Sequence, residues 1–129
     1  MQNQIIHCAK TRDEVYHEIF LRSHKCTYVS YLRGKRCLTE DDFFHEVSAS
    51  FQFPYYFGEN WAAFDECICD LDWLSFNSLF IVVDDYDRMF NGNSTIQNLF
   101  IKYMKVMINY WEEKGVYVEV LLNQPTNCT

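Results

Sequence analysis

The segment from Ser78 to Asp85 limits the possible folds most, because five apolar residues, Leu79 to Val83, follow one another without a polar interruption. A strand with one face in water alternates polar and apolar residues, whereas a continuous apolar run of this length is typical of a strand covered on both faces. Such strands belong to parallel sheets that carry helices on their faces. The run therefore predicts a central strand of an α/β fold, and Asp84 and Asp85 mark its carboxyl end.

Strands and helices alternate along the rest of the chain. Predicted strands cover residues 4–9, 25–32, 78–85 and 116–122. Predicted helices start after N-caps at Thr11, at Thr39 and at Ser94 or Thr95, and a further helix starts near Asn60. This order predicts a small, mostly parallel sheet of three to four strands with helices packed against it. By its length the chain forms one domain, residues 1–129, and residues 123–129 are predicted to be a loose tail.

The predicted helix from Asn60 to Leu71 has two unlike faces. At 100° per residue, one arc of about 120° collects the apolar side chains, which are Trp61, Phe64, Cys67, Ile68 and Leu71. The opposite side carries the acids Asp65, Glu66, Asp70 and Asp72, with Ala62 and Cys69 between them. The rings of Tyr55, Tyr56 and Phe57 precede this helix in a loop closed by Gly58. We expect the apolar face to pack on the core and the acidic face to lie beside a shelf of three aromatic rings.

Charge is unevenly distributed along the chain, whose formal net charge is −7. Between Cys37 and Asp87 there is no Lys or Arg, although acids are frequent there. A concentrated field of one sign attracts oppositely charged partners and repels nucleic acid and anionic lipid. Aromatic side chains beside charged groups are typical of surfaces that bind other proteins. The pattern predicts a basic protein partner, and neither a nucleic acid nor a membrane.

Signatures of enzymes are missing from the sequence. The four glycines are too widely spaced for a phosphate-binding loop, and no histidine pair has the spacing of a zinc protease. One alternative is a small hydrolase or metal enzyme that uses Asp84, Asp85 and Asp87. Acids at the end of a strand are more often simply solvated, so we expect no catalysis, no metal and no cofactor.

The N terminus shows no basic region followed by an apolar run, and no stretch approaches the roughly 20 apolar residues of a membrane span. We therefore expect a cytoplasmic protein. Six cysteines are present, and in that compartment we expect them to be reduced and mostly buried thiols.

The segment Phe53–Trp61, followed by Ala63, Phe64, an acidic pair and Cys67, resembles the signature Pro-x-Tyr-Tyr-Gly-Glu-Asn-Leu-x-Ala-Leu-x-Asp-Cys of the barstar family of ribonuclease inhibitors. The predicted order of elements from residue 25 to 122 is also similar to the barstar fold. The resemblance implies that residues 4–21 are an N-terminal addition to the smallest family members. It also implies that the aromatic loop and the following helix enter the active-site cleft of a ribonuclease, where carboxylates take the place of RNA phosphates.

By motif position, the resemblance makes Tyr56 and Phe57 aromatic contacts, Asn60 a polar contact, and Glu66 the central acid that reaches the enzyme's catalytic Arg and His residues. The family commonly has Asp where this chain has Ala62, and Asp rather than Glu at position 66. Asp65 and Asp70 can replace the missing charge. The predicted partner-binding set is Tyr55, Tyr56, Phe57, Gly58, Asn60, Ala62, Asp65, Glu66, Cys69 and Asp70. The expected function is inhibition of a basic ribonuclease toxin by an immunity protein; the alternative is an adaptor of the same fold that binds another basic protein.

Overall fold

The computed structural model describes residues 3–23 and 26–125. Strands and helices alternate as predicted. In chain order they are β1 (Gln4–Cys8), α1 (Arg12–Arg22), β2 (Thr27–Arg33), α2 (Glu40–Phe51), α3 (Trp61–Ile68), β3 (Ser78–Asp84), α4 (Ser94–Glu113) and β4 (Tyr117–Asn123). Short 3₁₀ segments follow β2 (Gly34–Arg36) and β3 (Tyr86–Gly92). Thr11 and Glu14 form a reciprocal capping box, and Thr39 caps α2, as the sequence predicts. The prediction for α4 is wrong: Ser94 is its first residue, and the side chain of Asn93 caps it by accepting from the Ile96 N–H at 3.1 Å.

The four strands form one sheet in the order β1-β4-β3-β2, and every neighbouring pair is parallel. The α/β prediction is confirmed, and the apolar run Leu79–Val83 lies in an inner strand with every residue buried. The N-terminal strand β1 pairs with β4, so that Ile5 lies opposite Val120. The strand β1 therefore forms one edge of the sheet, and β2 forms the other edge.

Both faces of the sheet are covered. Leu79, Ile81 and Val83 point into the main core, which α2, α3 and α4 complete. Phe80 and Val82 point to the other face, where they pack with Val15 of α1 in a second, smaller core. Because successive side chains of a strand alternate between faces, the single apolar run of β3 serves both cores. The larger core holds the helices that carry the predicted partner-binding surface.

The helix predicted from Asn60 to Leu71 is shorter in the structure, since α3 ends at Ile68. The indole N–H of Trp111 donates to the Ile68 carbonyl at 2.9 Å, and Leu71 takes a left-handed backbone conformation with φ 48°. The chain therefore turns before Leu71, which remains buried. The chain then returns to the core, with Trp73 and Leu74 partly buried against it.

The sequence predicts solvated acids at the end of β3, and for Asp84 this prediction is wrong. The Asp84 side chain is fully buried. Its carboxylate accepts hydrogen bonds from the Tyr31 hydroxyl at 2.6 Å, the Asn123 amide at 2.9 Å and the Asp85 backbone N–H at 3.0 Å. The guanidinium of Arg12 lies 3.4 Å away. These donors occupy the carboxylate oxygens, so Asp84 has no free oxygen to bind a metal as the alternative hypothesis requires.

Asn123 extends this network to the N-terminal addition. It belongs to β4 and is fully buried, one residue inside the segment predicted to be a loose tail; residues 126–129 of that segment lie outside the described residues. The Asn123 side chain accepts from the Lys10 N–H at 2.8 Å and from the Cys8 thiol at 3.1 Å, and it donates to the Lys10 carbonyl. The ends of β1, β3 and β4 are thereby held together.

The carboxyl of Asp84 makes the fold sensitive to acid. Burial by itself raises its pKa, but the hydrogen bonds from Tyr31, Asn123 and the Asp85 N–H, together with the charge of Arg12, outweigh burial and hold the pKa below the ordinary value of 3.8. A carboxyl with a lowered pKa stabilises the folded state above its ordinary pKa. That contribution is lost as the pH falls through the folded-state pKa.

We expect Asp84→Asn to lower the free energy of unfolding at pH 7 by about 1.5–3 kcal/mol, because a charged acceptor of several hydrogen bonds is lost. The deficit should shrink as the pH falls below 3.8, since the carboxyl is then protonated in the unfolded wild type, whereas in the folded state it is protonated only at lower pH. Urea unfolding of both proteins across this range measures the effect. The exposed Asp87→Asn is the control and should behave like wild type. An Asp84→Asn deficit of unchanged size down to about pH 2.5 would contradict the assignment.

Candidate functional site

The aromatic loop before α3 presents two rings to solvent and one to the core. Its turn is closed by a hydrogen bond from the Phe57 N–H to the Pro54 carbonyl at 3.0 Å. Tyr55 and Tyr56 stand at the tip, with relative exposures of 101% and 64%. Phe57 turns inward, and its ring meets Phe53 edge-to-face at 4.9 Å. The predicted shelf of three rings is therefore an exposed tyrosine pair on a phenylalanine anchor.

The junction between the loop and α3 is fixed by local hydrogen bonds. Asn60 caps the helix by accepting from the Ala63 N–H at 2.8 Å, and its amide donates to the Gly58 carbonyl at 3.1 Å. Glu59 has a left-handed backbone with φ 51°, and its carboxylate lies 3.0 Å from the imidazole of His45 on α2. The side chain of Asn60 thus orients the loop relative to the helix.

The predicted acids lie on the outward face of α3 and, in the case of Asp70, in the turn that follows the helix. Ala62, Glu66 and Asp70 are exposed, and Asp65 and Cys69 are half-buried. Within residues 3–23 and 26–125, no ion pair involves any of these acids. Like charges on one helical surface repel one another, so this face carries negative charge that the described part of the fold does not neutralise.

Loop and helix meet at a shallow groove of about 170 Å³, which we call the Asp70 groove. Its lining residues are Tyr56, Phe57, Ala63, Glu66, Cys67 and Asp70. The structure therefore brings together both predicted aromatic contacts, the predicted central acid and Asp70. The other predicted residues lie around the groove and do not line it: Tyr55, Gly58, Asn60, Ala62, Asp65 and Cys69.

The pKa values of the Cys67 and Cys69 thiols are raised, so the protonated form is favoured at neutral pH. Burial, followed by the charges of Asp70 and Glu66, raises the pKa of Cys67. Burial and the neighbouring carboxylate of Asp65 raise the pKa of Cys69 to about 12. A thiol is a nucleophile only when deprotonated. All five cysteines that the structure describes are free, and the sixth, Cys128, lies outside the described residues.

Two neighbouring helices hold α3 in place through aromatic contacts that the sequence analysis missed. The indole of Trp61 stacks between Tyr103 of α4 at 5.2 Å and Phe43 of α2 at 5.4 Å. Its N–H donates to the carboxylate of Glu40 at 2.6 Å. Periodicity places Trp61 on the inner face, but no signal in the sequence pairs it with these partners, because they lie far away along the chain.

The described residues contain no group of three or more His, Cys, Asp or Glu side chains arranged to hold a metal ion. No helix within the described ranges is long and apolar enough to cross a bilayer. The arrangement of exposed tyrosines, unpaired carboxylates and protonated thiols offers contacts for another molecule rather than a nucleophile.

A comparison with protein-family models matches residues 27–123, from β2 to the end of β4, to the family described as "Barstar (barnase inhibitor)". The matched region leaves out β1 and α1. A search of curated proteins found no match. Because the family model covers well over half of the 129 residues, the chain belongs to the barstar family, a family of ribonuclease inhibitors.

Proposed function

We propose that this protein binds and blocks a basic ribonuclease, as an immunity protein that inserts its aromatic loop and the acidic face of α3 into the enzyme's active-site cleft. The observation that carries the proposal is the exposed pair of Tyr55 and Tyr56, of which Tyr56 lines one groove with Glu66 and Asp70. Large exposed aromatic rings beside charged groups that lose their water on binding are typical of the centre of protein interfaces. The same reasoning makes the protein an inhibitor without catalytic activity of its own.

The distribution of charge supports a basic partner. The segment from Cys37 to Asp87 holds no Lys or Arg, and it contains α2, the aromatic loop and α3. The active site of a ribonuclease binds a polyanion and therefore carries positive charge. A negative surface of this kind accelerates encounter with a positive cleft and favours correct orientation.

The packing of the surface supports tight binding. Asn60, Phe57 and Trp61 are each held by contacts within the protein, so the loop and helix lose little conformational freedom when a partner binds. Such preorganisation lowers the entropic cost of association. We further propose that the whole chain, residues 1–129, acts as one domain in the cytoplasm, where an immunity protein meets its toxin before export.

We expect Glu66→Gln to weaken inhibition roughly tenfold or more, because a basic group of the enzyme would be buried without its counter-charge. RNA cleavage is measured with increasing amounts of wild type or variant. The enzymes are barnase and the product of any basic reading frame adjacent to this gene. The matched control is Asp72→Asn, which removes the same charge at an exposed position outside the groove and should inhibit like wild type.

Two outcomes would contradict this proposal. If the wild type inhibits neither enzyme at low or moderate salt, the ribonuclease assignment fails, and the adaptor hypothesis, with another basic protein as partner, takes its place. If the wild type inhibits and Glu66→Gln inhibits equally well, the protein is an inhibitor that uses another surface. Circular dichroism of each variant confirms that the substitution leaves the fold intact.

We expect charge and aromatic contacts to act on different steps of binding. Raising the salt concentration should slow association, since it screens the attraction between the acidic face and the enzyme. Tyr56→Ala should chiefly speed dissociation, by roughly fivefold or more, because it removes an anchor without changing charge. Surface plasmon resonance at several salt concentrations separates the two rates. An association rate that is independent of salt would contradict the electrostatic part of the proposal.

A further inference from the structure

The two edges of the sheet differ in how far the rest of the fold covers them. At the β2 edge, helix α2 packs directly on the strand, and the carboxylate of Glu46 on α2 accepts from the outward N–H of Arg33 at 2.9 Å. At the β1 edge, the nearest helices pack on inner strands instead. Val15 of α1 lies against β3 and β4, and α4 packs on β4. Only the β1 edge is therefore open to another strand.

The backbone of β1 points alternately at β4 and away from it. The Gln124 N–H donates to the Cys8 carbonyl at 3.0 Å, so Cys8 and every second residue before it point their backbone groups at β4. In a parallel ladder the residues between them point the other way, which places the N–H and C=O groups of Ile5 and His7 at the free edge. Within residues 3–23 and 26–125, no loop backbone pairs with these groups. Unpaired backbone groups at an edge are a template for another strand.

The side chains of β1 do not protect this edge. The strand contains no charged residue and no proline, which are common means of preventing edge pairing; its one protective feature is its length of five residues. Ile5 and Ile6, which lie on opposite faces of the sheet, are both half-buried. On the Ile5 side an open groove of about 380 Å³ lies between β1 and α4. Both faces thus have room for the side chains of an added strand.

A second copy of this chain fits the edge in a self-complementary way. Antiparallel pairing centred on Ile6 places Ile5 opposite His7 of the second copy, and the twofold axis repeats the pair. The two outward-pointing residues of each copy then exchange N–H···O=C hydrogen bonds. Ile6 faces its own equivalent at the centre, a close apolar pair of the kind that stabilises sheets. This register pairs the whole of Gln4–Cys8 and brings no charged side chains of the strand together.

The spacing of the helices permits this pairing at β1 and prevents it at β2. Because α4 packs on β4, joining two β1 strands leaves the two copies of β4 three strand spacings apart, about 14 Å. Packed helices need about 8–10 Å between their axes, so both copies of α4 fit. Joining two β2 strands would place two copies of α2 over neighbouring strands about 5 Å apart, which is too close.

We propose that two copies of the protein associate through antiparallel pairing of β1, which joins two four-stranded sheets into one continuous sheet. A pairing of five residues is small beside the roughly 800 Å² per partner of a standard interface. The dimer is therefore reversible, with an expected dissociation constant of about 10–100 µM. None of the predicted partner-binding residues belongs to β1, so this association is separate from the proposed function.

Sedimentation equilibrium of the full-length protein tests the association. Between about 1 and about 500 µM, which brackets the expected dissociation constant, the average mass should rise from 15.5 kDa towards twice that value. His7→Pro removes the outward N–H at a position where an edge strand accepts proline, and it should weaken association roughly tenfold or more. His7→Ala is the matched control, since it keeps the N–H, and it should associate like wild type. Circular dichroism reports whether each variant is folded.

A disulfide trap tests the register independently of His7→Pro. In a background of Cys8→Ser, Cys26→Ser and Cys128→Ser, the additional change Ile6→Cys should give a disulfide-linked dimer with oxidised glutathione, because residues that face each other at a non-hydrogen-bonded pair have close Cβ atoms. His7→Cys in the same background is the control and should cross-link far less, since His7 does not face its own equivalent. A mass that stays at 15.5 kDa at every concentration, equal association of the His7→Pro and His7→Ala variants, or equal cross-linking at the two positions would each overturn the inference.

Discussion

The packing around Phe43 is the interaction on which the candidate surface depends. This fully buried ring stacks on Trp61 and meets Phe64, Phe90 and Phe100 edge-to-face, at centroid distances of 5.3–5.5 Å. These partners belong to α3, to the segment after β3 and to α4, while Phe43 itself belongs to α2. Aromatic pairs contribute direction as well as buried area. An eight-residue helix such as α3 is too short to be stable by itself, so its orientation is imposed by this cluster.

The N-terminal elements β1 and α1 lie outside the region that matches the family model, and α1 covers the second face of the sheet. Phe80 and Val82 would meet water if α1 did not cover them, and Val15 of α1 fills that position without exposure. The polar network of Asp84 and Asn123 then ties the addition to the family region at the carboxyl edge. A buried polar group that loses its hydrogen-bond partner destabilises the fold, whereas a fully paired network specifies one arrangement of the chain. The network therefore favours one arrangement of β1 and α1 over any sliding of the sheet edge.

The sequence predicts features that depend on residues close together along the chain, and it does not predict features that depend on residues far apart. The apolar run of β3 and the caps at Thr11 and Thr39 are local patterns, and each is found where the sequence predicts it. The order of the strands depends on pairs such as Ile5 with Val120, which no local pattern specifies. The shortened end of α3 depends on a hydrogen bond from Trp111, 43 residues away. Predictions from periodicity alone extend a helix until the apolar pattern ends, and here a distant side chain ends it earlier.

In the candidate surface, too, local patterns predict some features and contacts between distant residues determine others. Helical spacing places the acids of α3 outward, and this is where they lie. The loop sequence predicts a shelf of three rings that includes Phe57, whereas the Phe57 ring packs against Phe53 and Phe44. Phe57 and Tyr56 both line the Asp70 groove. Unpaired acids are tolerated here because the apolar contacts beneath them fix the helix without any help from the charged face. Stability and recognition are thus carried by opposite sides of one short helix, and the charged side remains free to match a partner.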